Sequence, residues 1–408
     1  MKTAYIYDAI RTPRGIAKES GSLHDLTPLD LLAPLYKALE QRTGLNPKNV
    51  DDAILGCVTQ HGEQAGNIAK TSVMNAGWPA SIPGITVNRY CSSGMDAIQL
   101  AAMKIISGVD DLVIAGGIEM MSRVPMMSDN PAPFTDIPLA TKIGMMPMGI
   151  GADLIASQYA VSRQQADEIA LASQKKAIQA QEEGRFSSII PIHNPVKDIT
   201  LEHDEVTRAD SSMETLSALK PSFQKMGAMG LDDVLKKAYK LDAINHVHTP
   251  GSSPAMADGA ALLLIGSEEA GRLLNQQPRA KITALTNIND DQNTVVSGCV
   301  AVTKKLLNKQ GLSVSDIDLF EIHEAFAATM VKCQKDLEIP ANKLNVNGGC
   351  IALGHPLGAT GGILAGTLLD ELERQNLRYG IAASSGAAGA GSAILIERLS
   401  FEEKSDNK

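Results

Sequence analysis

A cysteine between a strand-like run and a helix is the first residue of this sequence whose surroundings favour covalent chemistry. Cys91 follows the β-rich run ITVNRY and precedes SSGMDAIQLAAMKIIS, in which apolar residues recur at helical spacing. A thiol at the N-terminus of a helix lies beside a partial positive charge, which favours the thiolate. The sequence therefore predicts that Cys91 is a nucleophile. The alternative is the buried structural role that most single intracellular cysteines have.

A histidine in a glycine-rich turn offers the partner that such a nucleophile needs. His355 lies within NVNGGCIALGHPLGATGG, between a short apolar run and a helix-like segment. A thiol requires a base to remove its proton, and a carbonyl substrate requires a donor for its oxygen. One imidazole is able to serve both purposes in turn, so we predict that His355 is catalytic. The alternative is a histidine that only caps the turn.

A second histidine, His323, ends the strand-like segment LFEIHEA. Its ring is able to donate a hydrogen bond to a developing negative charge. Neighbouring Glu324 either orients this ring, faces solvent or caps a helix. His323 is therefore predicted to assist in an oxyanion site.

The other four cysteines are expected to be structural. Cys57, Cys299 and Cys333 lack a comparable position, and Cys350 stands beside the glycine loop, where we expect it to pack. An odd number of widely spaced cysteines, in a chain without a signal peptide, fits reduced thiols in a cytoplasm-like compartment. No C-x-x-C spacing is present, so no metal site is predicted.

Composition excludes several classes of protein. The 408 residues are 44% hydrophobic and 20% charged, which is enough to bury a large core in two or more packed units. A net charge of −9 provides no global basic surface, so nucleic acid is a poor candidate partner. No apolar run approaches the roughly 20 residues that span a bilayer, so no membrane span is predicted. The polar tail is expected to fray.

Two landmarks recur at an offset of about 260 residues. In the N-terminal half, a helix is followed by Gly44-Leu45, a polar turn and a strand near Val50. In the C-terminal half, the helix AVTKKLLNKQ is likewise followed by Gly311-Leu312, a polar turn and the strand LFEIHEA. The run VNRYC is matched by VNGGC, and each leads into a helix and then a glycine-rich strand. Chance similarity of helix-strand units is the alternative. We interpret the repeats as a duplicated βα unit, with mixed sheets covered by helices.

The segment from Met120 to about Val247 lacks the repeat and is rich in Met, Pro and Ser. Its middle has helical periodicity, and Ser162 stands three residues before Gln165 as a capping box. We therefore expect a partly helical lid.

The segments VNRYCSSGMDA, IHEAFAA and NVNGGCIALGHPLGATGG, in this order, resemble the thiolase family. The resemblance runs from about Tyr5 to Arg398 and implies an α/β, thiolase-like duplicated fold in five layers, αβαβα. It implies an N-terminal half of residues 1–120 and 248–271, a loop domain of 121–247, a C-terminal half of 272–400 and a tail of 401–408.

The resemblance also implies roles for the candidate residues. In thiolases the cysteine that matches Cys91 becomes acylated, and the histidine that matches His355 activates it and helps to hold the thioester oxygen. Most thiolases have asparagine at the position of His323, and histidine resembles the trifunctional-enzyme β-subunit group. The amides of Cys91 and Ala387 are implied to form a second oxyanion site.

The sequence departs from the family at Ser385. Thiolases have a second cysteine there, which moves a proton between CoA or the enolate and solvent. A hydroxyl is a far weaker acid than a thiol with a pKa of about 8.5, and positioned acid-base catalysis contributes roughly 10²–10⁴-fold. We therefore expect Cys91 to be acylated and turnover to be poor, unless Ser385 positions a water for the same task. A native difference and an introduced replacement look identical in the sequence.

The resemblance implies CoA thioesters as substrates, CoA itself as a substrate, and no covalently bound cofactor. Arg208 matches an arginine that contacts the adenine nucleotide, with an exposed, solvated arginine as the alternative. Thr215 falls where a serine meets CoA. Pro254 occupies the place of a pantetheine-contacting serine, for which Ser253 is the expected substitute.

Met148 and Phe326 match residues that line the acyl and pantetheine slot. Seven methionines fall between Met120 and Met148, and they either fill the core or form a deformable acyl pocket. An insertion between Gln224 and about Asn245 has no counterpart in the shorter thiolases.

Together these features predict a thiolase-type acyltransferase that cleaves 3-oxoacyl-CoA with CoA, or runs the reverse condensation, as a cytoplasmic homodimer or homotetramer. Two alternatives remain open: a ketoacyl-synthase-like condensing enzyme, and a catalytically silent CoA-binding or scaffold homologue, which Ser385 and Pro254 favour. The run GAAGAG precedes a strand instead of opening a helix, so dinucleotide binding is not predicted.

Overall fold

The computed structural model describes residues 2–399, and the predicted tail of 401–408 lies outside them. The strands in this part of the chain are β1 (Tyr5–Arg11), β2 (Gly15–Ile16), β3 (Asp52–Gly56), β4 (Gly84–Val87), β5 (Leu112–Met120), β6 (Ile192–Asn194), β7 (Ile199–Leu201), β8 (Ala257–Gly266), β9 (Ala280–Asn289), β10 (Leu319–Ile322), β11 (Tyr379–Ser385) and β12 (Ala390–Arg398).

The helices alternate with these strands in both halves and dominate the middle of the chain. They are α1 (Pro28–Thr43), α2 (Ile68–Asn75), α3 (Ser93–Ser107), α4 (Ala132–Thr135), α5 (Ile137–Ile143), α6 (Met148–Gln158), α7 (Arg163–Glu182), α8 (Met213–Ser217), α9 (Gln224–Met226), α10 (Asp232–Tyr239), α11 (Glu268–Leu274), α12 (Gly298–Gln310), α13 (Ala327–Leu337), α14 (Cys350–Leu353) and α15 (Thr360–Arg374).

Ten strands form one mixed sheet in the order β10-β11-β12-β9-β1-β8-β5-β3-β4, with β2 beside β8. β3 pairs in parallel with β4 and β5, and β10 pairs in parallel with β11. The remaining pairs in this sheet are antiparallel. The two halves meet where Tyr5 and Ile6 of β1 pair with Lys281 and Ala280 of β9. The predicted mixed pairing is confirmed, although the halves join edge to edge into a single sheet.

Three layers of helices enclose the two halves of this sheet. α3 and α15 lie in the middle layer, and their apolar side chains pack on strands of both halves, as at Ile98, Leu263 and Leu368. α1 and α2 cover the outer face of the N-terminal half. α12 and α13 cover the outer face of the C-terminal half. The five-layered αβαβα arrangement is therefore confirmed.

Local sequence signals account for where several helices begin and end. The Thr27 side chain accepts from the Asp30 amide and the Asp30 carboxylate accepts from the Thr27 amide, which caps α1. Gly44, with φ of 65°, ends the same helix. Ser162 and Gln165 form the predicted capping box of α7. The predicted helices at α1, α3 and α12 are confirmed.

The segment between β5 and β8 is the partly helical excursion that the sequence predicts. It contains α4 to α10 and the small β6–β7 hairpin. β8 then returns to the sheet between β1 and β5. The expected insertion is built from α9, a π-turn at Gly227–Leu231 and α10. The division of the chain into four segments stays a prediction.

Across residues 2–399, none of the helices has both the length and the apolar character required to cross a bilayer.

The first turns of α3 and α15 touch backbone to backbone in the middle layer. A Cβ added at Gly94 would lie 2.5 Å from the carbonyl oxygen of Gly358, and one added at Gly361 would lie 2.0 Å from the amide nitrogen of Met95. Only glycine fits such an approach. The contact brings together the two turns that precede these helices, one from each half.

We expect Gly361→Ala to lower the free energy of unfolding by about 1–3 kcal/mol, because the new methyl group overlaps the Met95 backbone. Gly366→Ala is the matched control on the same helix. Its Cβ would lie 3.5 Å from the Ala9 Cβ, an ordinary contact, and a helix interior favours alanine over glycine. Urea denaturation measures the free energy of unfolding of both variants. Equal values for the two would contradict the close contact between the helices.

Candidate active site

A cavity of about 490 Å³ has the four predicted catalytic residues on its wall: Cys91, His323, His355 and Ser385. Cys91 precedes α3, His323 follows β10, His355 precedes α15 and Ser385 ends β11. Residues from both halves of the duplicated scaffold therefore meet at one site.

The turn that carries Cys91 is a tight junction between β4 and α3. Tyr90 has φ of 51°, a left-handed conformation that is uncommon for residues other than glycine. Ser92 Oγ donates to the Ser384 carbonyl over 3.2 Å, which ties the turn to β11. α3 begins at Ser93, so the predicted strand-to-helix position of Cys91 is confirmed.

The predicted preference of Cys91 for the thiolate is wrong for the free protein. Burial raises the pKa of the Cys91 thiol to about 12, and the nearby Glu119 charge contributes in the same direction. Removing water from around the sulfur disfavours the thiolate more than its own amide and the helix N-terminus favour it. Cys91 is therefore a thiol at neutral pH and needs a base.

His355 is held in one orientation and kept neutral. Its amide donates to the Ala255 carbonyl over 2.8 Å, and its Nδ1 lies 2.7 Å from Thr360 Oγ1. Nε2 is left as the nitrogen that can act on a substrate or thiol. Burial first, and then the charges of His323 and Arg14, lower the pKa of His355 well below its ordinary value. Neutral imidazole is the form that accepts a proton.

Glu119 holds the loops on either side of the site. Its Oε2 accepts from the amides of Val58 and Gly358, both over 2.9 Å. Its Oε1 accepts from the Thr59 amide and from Gln64 Nε2, both over 3.0 Å. Gly358 lies three residues after His355, so this carboxylate fixes the loop of one half against the sheet of the other.

His323 stands beside His355 with its ring centroid 4.3 Å away and the planes tilted by 40°. Burial lowers the pKa of His323 to about 4, and a backbone group of Ser385 opposes this only in part. Among residues 2–399, neither ring nitrogen has a hydrogen-bond partner of normal geometry. Both rings are therefore neutral, and His323 has donor and acceptor capacity to spare.

Glu324 does not orient the His323 ring. Its carboxylate accepts from Ser173 Oγ over 2.7 Å and from the Ile351 amide over 3.2 Å. Ile351 is in the first turn of α14, which begins at Cys350. Of the three alternatives for Glu324, helix capping is the one that the structure supports.

Ser385 lies at the predicted place, but its hydroxyl is occupied by backbone groups. Its Oγ donates to the Val296 carbonyl over 2.8 Å and accepts from the Cys299 amide over 2.9 Å. The residue is 1% exposed. Ser385 thus satisfies an amide in the first turn of α12, which is a structural task.

Two amides border the cavity where a carbonyl oxygen would need donors. Within the described chain, neither the Cys91 amide nor the Ala387 amide donates to a backbone carbonyl outside its own helix or strand. Ala387 begins a tight turn in which Ala388 has φ of 57°. Cys91 and Ala387 both line the cavity, and the role of their amides as a second oxyanion site stays a prediction.

The predicted substrate contacts divide into two groups. Met148, Ser253 and Phe326 line the cavity, and the Ser253 hydroxyl donates to the Thr249 carbonyl. Arg208 and Thr215 are exposed and lie outside the cavity wall. Their proposed contacts with CoA would have to form at the surface.

Methionine dominates the apolar part of the cavity wall. The methionines that line it are Met121, Met126, Met127, Met148, Met226 and Met256. Met120 and Met146, by contrast, are buried in the core. Part of the methionine-rich segment therefore fills the core, and part lines the cavity, where the acyl-pocket role stays a prediction. Met226 belongs to α9 in the insertion, so the insertion reaches the cavity.

Residues 4–269 match the family described as the thiolase N-terminal domain, and residues 276–398 match the thiolase C-terminal domain. The chain belongs to the thiolase family. A 3-ketoacyl-CoA thiolase of Colwellia psychrerythraea is 38% identical over 98% of this chain and 100% of that protein. A 3-ketoacyl-CoA thiolase of Aliivibrio fischeri is 39% identical with the same coverage.

A solved structure gives the same result for the fold of this thiolase. The Bacillus anthracis acetyl-CoA acetyltransferase is 34% identical and superposes with a TM-score of 0.83. The match covers 98% of this chain and 99% of that one. The α/β duplicated fold is therefore that of a thiolase along its whole length.

Two residues of this thiolase's site escaped prediction from the sequence. Glu119 is the one charged residue in the fully buried run LVIAGGIEM of β5. A lone carboxylate in an apolar strand indicates a residue with a specific role, and the sequence alone shows this contrast. Cys350, expected only to pack, places its Sγ within 4.8 Å of one ring nitrogen each of His323 and His355. Its position in the repeat, equivalent to that of Cys91, was the available signal.

The raised pKa of Cys91 has a direct chemical consequence. Without substrate, we expect alkylation of Cys91 by iodoacetamide to accelerate about tenfold per pH unit from pH 7 to 10, because the thiolate fraction grows that fast well below the pKa. Peptide mass spectrometry measures the rate at Cys91 itself, and Cys91→Ala supplies the background. A plateau below pH 9 would show that the helix dipole prevails over burial.

Proposed function

We propose that this chain is an acyltransferase that cleaves 3-oxoacyl-CoA with CoA into acyl-CoA and acetyl-CoA, or runs the reverse condensation. The observation that carries the proposal is the meeting of Cys91, His323 and His355 on the wall of one cavity. Relatives named 3-ketoacyl-CoA thiolase support the same reaction.

In the first half-reaction, Cys91 Sγ attacks the 3-keto carbon while His355 Nε2 takes the thiol proton. The bond between C2 and C3 then breaks, which leaves the acyl group on Cys91 as a thioester. The electron pair of the broken bond stays on C2, so acetyl-CoA leaves as an enolate. His323 and His355 stabilise this enolate by hydrogen bonds until C2 is protonated. A neutral thiol and a neutral imidazole suit this sequence, because charge develops only when the substrate is bound.

In the second half-reaction, the thiol of CoA attacks the acyl group on Cys91. The amides of Cys91 and Ala387, both residues of the cavity wall, would hold the resulting oxyanion. The thiol proton needs an acceptor, and the hydroxyl of Ser385 is committed to Val296 and Cys299. We infer that a water molecule or a histidine must carry this proton, which makes the step slow.

The substrate would occupy the methionine-lined cavity. Met148 and Phe326 would contact the acyl or pantetheine part, and Ser253 the pantetheine loop. Arg208 and Thr215 would meet the nucleotide end of CoA, which extends to the surface in this arrangement. The reaction as written requires no bound cofactor.

We propose that the chain acts in the cytoplasm as at least a homodimer, either a dimer or a tetramer. The five cysteines are free thiols, which suits a reducing compartment. β4 is an edge strand of the sheet, and Ile85 on it and Met74 on neighbouring α2 are 48% and 51% exposed. An apolar edge of this kind favours pairing with a second copy. Native mass spectrometry checks the assembly, and a monomer alone would contradict it.

Mixing the protein with acetoacetyl-CoA should transfer one acetyl group to Cys91, with release of acetyl-CoA. Intact and peptide mass spectrometry locate the adduct. Cys91→Ala should show none, and Cys333→Ala, which alters a buried cysteine away from the cavity, should show it in full. Binding without an adduct would favour the silent homologue, and an adduct formed only from a malonyl thioester would favour the ketoacyl-synthase-like enzyme.

Ser385→Cys should raise the turnover number by roughly tenfold or more, because a thiol restores a proton carrier matched to neutral pH. The rate of the first acylation should change little. Ser384→Cys is the matched control, since adjacent strand residues face opposite sides of the sheet. Steady-state thiolysis measures turnover. If Ser385→Cys gains nothing, the proton carrier lies elsewhere.

A further inference from the structure

Three side chains with metal-binding atoms converge at the cavity, two of them on its wall. One ring nitrogen of His323, one of His355 and the Sγ of Cys350 all lie within 4.8 Å of one another. The three residues are 2%, 7% and 1% exposed. Cys350 and His355 come from one glycine-rich stretch, five residues apart, and His323 comes from the end of β10.

One of the three side chains is held by a partner of its own, and the backbone beside a second is fixed. Thr360 Oγ1 holds Nδ1 of His355 at 2.7 Å, which leaves Nε2 for a ligand. Cys350 opens α14, whose first turn is fixed by the bond from the Ile351 amide to Glu324. A metal-ligating histidine characteristically has its second nitrogen held in this way.

The lack of partners around the third side chain, His323, points to a ligand. His323 is almost fully buried, yet in the described part of the chain neither of its ring nitrogens has a hydrogen-bond partner of normal geometry, and a backbone group of Ser385 only partly offsets the effect of burial on its pKa. Buried polar atoms are paired in the large majority of cases. The unpaired imidazole stands next to a second imidazole and a thiol, and these are the donor types that bind zinc.

We propose that His323, Cys350 and His355 form a binding site for a borderline-soft divalent cation, with Zn²⁺ as its chemical type. Nitrogen and thiolate ligands select this class over Mg²⁺ and Ca²⁺, which prefer oxygen. The ion takes the Cys350 sulfur as thiolate, and the released proton goes to solvent. A fourth position faces the cavity, where water or Cys91 completes a tetrahedron.

The geometry needs only small movements. Zinc bonds of about 2.0–2.1 Å to nitrogen and 2.3 Å to sulfur place tetrahedral ligand atoms about 3.3–3.6 Å apart. The three atoms, now within 4.8 Å of one another, must therefore close by up to about 1.5 Å. The positive charge of Arg14, which lies near Cys350, would repel a bound cation. Asp204 offsets the Arg14 charge through an ion pair of 3.0 Å.

A bound ion would inhibit the reaction. It occupies the ring nitrogens of His323 and His355, so neither is free to accept the Cys91 proton or to hold an enolate. This consequence rests on the proposed function, whereas binding of the ion does not. The site would make the activity sensitive to free zinc and restorable by a chelator.

Cobalt(II) tests the ligand set without any assay of activity, because a cobalt-thiolate bond gives a near-ultraviolet charge-transfer band. Chelator-treated protein should bind one Co²⁺ per chain and show this band. The band should persist in Cys91→Ala and in the control Cys333→Ser, and it should vanish in Cys350→Ser, which keeps the side-chain volume. A band that depends on Cys91 and survives in Cys350→Ser would overturn the proposal, as would no binding by the unaltered protein.

Zinc inhibition then tests the consequence. With inhibition expressed relative to each protein's own thiolysis rate without metal, Cys350→Ser should need at least about tenfold more Zn²⁺ for half-inhibition, since one of three ligands is gone. Circular dichroism checks that Cys350→Ser is folded. If Cys350→Ser is unfolded, Cys350→Ala replaces it in the same experiment. Equal inhibition of variant and unaltered protein would overturn the proposal. A chain that binds cobalt through Cys350 but never turns over would refute the proposed function alone.

Discussion

The backbone contact between the first turns of α3 and α15 is the constraint on which the site depends. Gly94 and Gly361 bring two helices from different halves closer than any side chain would permit. Cys91 stands just before one of these helices and His355 just before the other. Their meeting at one cavity is therefore a consequence of how the middle layer packs. Glu119 completes the arrangement by binding amides of both neighbouring loops through one carboxylate.

Burial decides where the protons reside. It raises the pKa of Cys91 to about 12 and lowers that of His323 to about 4, so the resting site holds a neutral thiol and neutral imidazoles. An ion pair in the same place would have to exist without the water that normally stabilises it. The same neutrality suits the imidazoles for holding a developing enolate and for binding a metal ion.

Features encoded locally were predictable from the sequence, and features created by packing were not. Helical periodicity and capping residues located α1, α3 and α7. The strand-to-helix junction singled out Cys91, and the glycine-rich turn singled out His355. The thiol pKa of Cys91 was mispredicted because solvent exclusion depends on residues far away in the chain. The approach of His323 to Cys350 and His355, and the edge pairing of β1 with β9, likewise arise from segments that meet only in the folded state.

The short β1–β9 ladder and the shared middle layer have a consequence for the history of the chain. Each half buries part of its apolar surface only against the other. An ancestral single copy would have exposed that surface, and so would have needed a second copy of itself to cover it. Joining two such halves in one chain makes that cover internal, so its formation does not depend on protein concentration.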